Sequence, residues 1–65
     1  MRITVNGEAV EIRAATLATA LDELGYGGAR VATAVNETFV PTSLREGREL
    51  SPGDRLEILA PRQGG

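Results

Sequence analysis

The 65-residue chain has no cysteine, no histidine and no lysine. Without cysteine it carries no disulfide framework, no thiol redox chemistry, no side-chain persulfide and no iron–sulfur cluster. Without histidine as well, it offers neither thiolate nor imidazole to a metal, and the usual acid–base catalyst of neutral pH is missing. All seven basic residues are arginine, against nine acidic ones, for a net charge of −2. That balance argues against nucleic acid, whose binding relies on phosphate neutralisation, and against an anionic membrane surface. No apolar run approaches the ~20 residues of a membrane span. The opening Met1-Arg2-Ile3-Thr4-Val5 alternates, unlike the apolar block of a signal peptide, so a cytoplasmic location is expected. The length predicts a single domain, 1–65, with a small core and a marginal stability.

What is present reads as alternating strands around one helix. Residues 2–6 alternate, with Ile3 and Val5 on one side, and Asn6-Gly7 follows as the strongest short hairpin signal. Residues 8–13 alternate again, with Val10 and Ile12 inward. Thr16 is a candidate N-cap. Leu17, Ala20, Leu21 and Leu24 then fall on one helical face, and Gly25 stands where a left-handed C-cap belongs. Asp22 and Glu23 lie at the end of the helix that disfavours acids, with no compensating residue visible in the sequence. Tyr26-Gly27-Gly28 reads as a loop. A third strand is predicted over 31–36, with Val31, Thr33 and Val35 inward and Ala32 and Ala34 outward. Asn36-Glu37 is a turn, and Thr38-Phe39-Val40 a short strand stopped by Pro41. Residues 42–47 form a connection with room for one helical turn, and Arg48-Glu49-Leu50 can pair briefly. Ser51-Pro52-Gly53-Asp54 has the composition of a type II turn. The last strand runs from Arg55 to Ala60, with Leu56 and Ile58 inward.

The order β-β-α-β-β-β predicts an α+β fold: a mixed sheet of four to five strands with one helix packed on one face. The first and last strands should both be central, and if they are neighbours the helix crossover between them makes them parallel. The second face of the sheet, carrying Thr4, Ala32, Ala34, Phe39, Glu57 and Leu59, has no helix to cover it. Phe39 reads first as a core plug, since large aromatics usually bury, and second as part of an exposed docking patch. The chain then runs through Pro61, Arg62 and Gln63 to Gly64-Gly65, a flexible tail over 61–65. Two glycines without a Cβ can thread a narrow channel, and they place a bare carboxylate at the tip.

With this order and this ending, the chain resembles the ubiquitin-like β-grasp proteins. Within them it is most similar to the bacterial sulfur carrier proteins of thiamine thiazole synthesis. The match rests on Val5-Asn6-Gly7-Glu8, on the stretch from Val31 to Pro41 containing Val35-Asn36-Glu37-Thr38-Phe39-Val40-Pro41, and on Pro52-Gly53-Asp54-Arg55-Leu56-Glu57-Ile58 with the terminal Gly64-Gly65. One departure stands out: many members carry a basic residue right after the Val-Pro pair, where Thr42 stands here. The resemblance implies that the Gly65 carboxylate is adenylated by an activating adenylyltransferase of the ubiquitin-activating kind. A sulfur donor would then convert it to a thiocarboxylate that supplies thiazole synthase. ATP and Mg²⁺ would belong to the activating enzyme, and this chain would be a substrate, binding no cofactor itself. Gly64, Gln63, Arg62 and Pro61 would be recognised along the tail, with Ala34, Phe39 and Leu59 on the docking face.

Other readings stay open. A sulfur carrier for molybdopterin synthesis would use the same chemistry with a different acceptor. A ubiquitin-like protein modifier would use the same tail, although without lysine it builds no chains on itself except through the N-terminus. A plain interaction or RNA-binding module would leave the glycines incidental, and the acidic balance counts against RNA. A free-standing enzyme is least expected, because no nucleophile–base pair is apparent.

Overall fold

The computed structural model describes residues 1–60. The elements are β1 (Arg2–Val5), β2 (Glu8–Glu11), α1 (Leu17–Glu23), β3 (Ala32–Val35), β4 (Thr38–Val40), a 3₁₀ turn (Thr42–Leu44) and β5 (Arg55–Leu59). They form one sheet in the order β2-β1-β5-β3-β4. β1 and β5 run parallel, and the other neighbours are antiparallel. The expected central parallel pair is therefore present. The strands are shorter than the alternation predicted: β2 stops at Glu11, β3 spans 32–35 and β5 ends at Leu59.

Both hairpins turn on an asparagine. Asn6 and Gly7 have φ of 51° and 86°, and Asn36 and Glu37 have φ of 50° and 71°. Two successive positive φ values give the twist that matches the flanking strands. Asparagine tolerates that region, and Gly7 suits it without penalty, while Glu37 adopts it at a modest steric cost.

The core lies between the sheet and α1. Ile3, Ile12, Leu17, Ala20, Leu21, Val35, Val40, Leu50, Leu56 and Ile58 are buried, and Val5, Val10, Leu24, Tyr26 and Val31 pack around them half-buried. Thr16 caps α1 with a reciprocal box: its Oγ1 accepts the Thr19 N–H, and Thr19 Oγ1 accepts the Thr16 N–H. The next orphan donors go to the long connection, where Arg48 O accepts the Leu17 N–H and Arg45 O accepts the Ala18 N–H. Thr16 and Glu49 form a single bridge, the brief pairing expected near Leu50. At the other end Gly25 (φ 92°) closes a Schellman motif, with Gly25 N–H donating to Asp22 O and Tyr26 N–H to Leu21 O. Glu23 finds its reason here: its carboxylate accepts the N–H groups of Arg13 and Ala14 at 2.9–3.0 Å, tying the end of the helix to the link that follows β2.

Candidate functional site

β5 organises the outer face and carries the chain toward its end. Arg55, Glu57 and Leu59 point outward while Leu56 and Ile58 are buried. Ala34 pairs with Glu57 on one side and with Phe39 on the other, and Ala32 pairs with Leu59. Paired residues of neighbouring strands share a face, so Ala32, Ala34, Phe39 and Leu59 form one contiguous apolar patch. Phe39 is 66% exposed and Leu59 73% exposed. The first reading of Phe39, as a core plug, is therefore corrected. Its neighbours Thr38 and Val40 fix the alternation: Val40 is buried on the helix side, and Phe39 must face the other way. The low ridge of Ala34, half-buried between Phe39 and Glu57, leaves the patch shallow.

The rest of the outer face is polar. Arg2 and Glu11 sit as a cross-strand pair, and Arg55 approaches Glu37 at 3.9 Å. These exposed pairs contribute little stability. The patch thus lies at one corner of the sheet, against β4 and the end of β5, with charges bounding it at Glu57 and Arg55. An open groove lined by Leu21, Tyr26, Val31, Ala32 and Arg45 runs beside Leu59 and Ala60. Thr42, the departure noted in the sequence, is exposed at the start of the 3₁₀ turn. Leu44 is a further exposed apolar residue that the alternation did not single out. The tail residues Pro61, Arg62, Gln63, Gly64 and Gly65 lie outside the described residues.

Five polar side chains hold the frame behind this face. The Asn6 carboxamide donates to Ile58 O at 3.1 Å and accepts the Ile58 N–H at 2.8 Å. The Asn36 carboxamide accepts the Arg55 N–H and donates to Asp54 Oδ1, both at 3.0 Å. Asp54 also accepts the Ser51 N–H at 2.8 Å. Burial alone would raise the Asp54 pKa. The Ser51 and Asn36 hydrogen bonds and the Arg48 charge outweigh it and hold the carboxyl below its usual value. Arg45 is buried, donating from Nε to Thr33 Oγ1 at 3.1 Å and from its guanidinium to Val31 O at 2.6 Å, while Thr33 Oγ1 donates to Val40 O. The sequence marked Asn6 and Asn36 only as turn residues. Their reach to β5 depends on a strand some 50 and 20 residues further on, which no local pattern reveals. Arg45 sits in a polar stretch without periodicity and gave no signal.

Among the described residues no cluster of acidic side chains could hold a metal, and no helix is long and apolar enough to cross a membrane.

A five-stranded mixed sheet in this order, with one helix on one face and the parallel β1·β5 pair at its centre, defines a ubiquitin-like β-grasp protein. The chain belongs to the ThiS family, whose model matches residues 3–65. It is also similar to the crystal structure of the thiamine biosynthesis protein ThiS from Geobacter metallireducens. The identity is 25% over 100% of each chain, with a TM-score of 0.83. A search of curated proteins finds no match.

Proposed function

We propose that this chain is a sulfur carrier for thiazole formation in thiamine biosynthesis. The observation that carries the reading is the family match itself, which runs through the sheet and continues to the last glycine. A carboxylate is a poor electrophile. Adenylation by a partner enzyme with ATP and Mg²⁺ joins the Gly65 carboxylate to AMP and releases pyrophosphate. Sulfide supplied by the donor then attacks the acyl carbon, AMP leaves with the electron pair of the C–O bond, and a thiocarboxylate remains. Its sulfur is a better nucleophile than the oxygen it replaces, and thiazole synthase is the acceptor. The lack of cysteine suits this chemistry, since the sulfur rides on the chain end.

In this reading the chain is the substrate of its partners. Pro61, Arg62, Gln63 and Gly64 are read along the partner's channel, and the patch of Ala34, Phe39 and Leu59 docks beside it. Its exposure at the foot of the tail-bearing strand supports that role. The test is intact-protein mass spectrometry after incubation with a ThiS-activating adenylyltransferase, ATP, Mg²⁺ and a sulfur source. The expected result is one oxygen-to-sulfur exchange in the whole protein, abolished by deletion of Gly65. No exchange with an enzyme shown to be active on another ThiS protein would falsify the proposal. Transfer from the charged protein to thiazole synthase, and not to molybdopterin synthase or to lysines of other proteins, selects the thiamine route.

A further inference from the structure

The parallel pairing of β1 with β5 is short. It covers Thr4 with Arg55 and Val5 with Leu56, and at its ends Thr4 N–H donates to Asp54 O and Asn6 N–H to Leu56 O. The chain then turns away at Gly7, φ 86°. A parallel ladder continued by one step would need an acceptor for the Ile58 N–H and a donor for the Ile58 carbonyl. β1 has no residue left to supply them. The Asn6 side chain supplies both, with Oδ1 accepting at 2.8 Å and Nδ2 donating at 3.1 Å. A carboxamide has one acceptor and one donor end and so imitates a peptide unit. On the other side of β5 the last pairing is Ala32 with Leu59.

We propose that Asn6 is a positioning residue for the charging reaction, acting by locking the last two residues of β5 so that the chain departs from the sheet at a fixed place. This rests on the carrier reading above. In that reading partner enzymes engage the outer patch and the chain end at once, and the patch borders the start of the tail at Leu59 and Ala60. A clamp on Ile58 fixes the point at which the chain leaves the patch, and small misplacements upstream of a reacting centre are costly in rate. Asn36 makes a matched clamp at the opposite end of β5, on Arg55 and Asp54. It provides the control, because freeing that end leaves the root of the tail held.

The variants are Asn6→Gly and Asn36→Gly. Glycine keeps the positive φ of each turn, so only the carboxamide is lost. Pyrophosphate release is followed with a purified adenylyltransferase active on ThiS proteins, ATP and Mg²⁺, well below each variant's melting temperature. Amide hydrogen exchange at Ile58 is recorded alongside. The expected result is a drop of about tenfold in kcat/KM for Asn6→Gly, with faster exchange at Ile58. Asn36→Gly stays within about twofold of the wild type despite a similar fall in melting temperature, as expected when a remote clamp contributes stability alone. Asn6→Asp keeps the acceptor and loses the donor, and falls between. Equal kcat/KM for wild type and Asn6→Gly, or equal losses in both glycine variants, overturns the positioning role. Failure of the wild-type protein to release pyrophosphate refutes instead the carrier reading on which it rests.

Discussion

The two faces of β5 each carry a large aliphatic side chain and place it in opposite surroundings. Leu56 and Ile58, 1% and 5% exposed, lie against α1, while Leu59, one residue further, is 73% exposed beside Phe39. On the inner face a large apolar side chain is a source of stability. On the outer face the same chemistry leaves apolar area in water. The contrast separates residues that build the fold from residues that the carrier reading assigns to docking.

The largest break in that contrast comes from Ile58→Ala. Truncating a buried isoleucine costs about 3 kcal/mol, against the roughly 3–10 kcal/mol expected of so small a domain. Urea denaturation should show the midpoint fall by a third or more. Asp54→Ala comes next, at about 2 kcal/mol, because it removes an ionised acceptor from the Ser51 and Asn36 donors. Its effect depends on pH. The folded state holds the carboxyl below its ordinary pKa, so the stabilisation is full above the unfolded value near 4 and fades as pH drops toward the lower folded value. Denaturation at pH 7 should separate wild type from Asp54→Ala, and the gap should narrow at pH 3. A gap that stays constant would show that the charge on Asp54 does not matter.

Smaller still is Glu23→Ala, at about 1 kcal/mol, which frees the Arg13 and Ala14 N–H groups. Thermal melts should resolve it, and faster amide exchange at Ala14 should locate it. Phe39→Ser and Leu59→Ser should move stability by no more than ~0.5 kcal/mol. Each should nonetheless reduce the rate of charging by the activating enzyme about tenfold. If either serine variant unfolds the protein, the outer patch is structural after all and the contrast between the faces collapses.

The frame was open to reading because it is set by local chemistry. The Asn6-Gly7 turn, the Thr16 and Gly25 caps, and the alternation of Leu56 and Ile58 each announce themselves within a few residues. Phe39 departs from the expectation of burial for a physical reason. Average burial favours aromatics inside, whereas its parity with Val40 in a three-residue strand decided the matter. Polar groups whose partners come from distant strands were closed to such reading. Glu23 is out of place by sequence until its contact with Arg13 and Ala14 explains it, and the sequence marks Asp54 only as part of a turn and Arg45 only as part of a connection. Of the candidate site, the apolar patch was legible from strand parity, and the clamps on β5 were not.

Arg45 has a practical consequence for anyone altering this protein. Its side chain grips β3, and its carbonyl takes a donor from the first turn of α1. Segments joining secondary structure usually accept extra residues freely, but the link from 42 to 50 should not, because lengthening it pulls apart two elements at once. The exposed stretch around Gly28 carries no comparable load. An epitope, a dye site or an inserted peptide therefore belongs there.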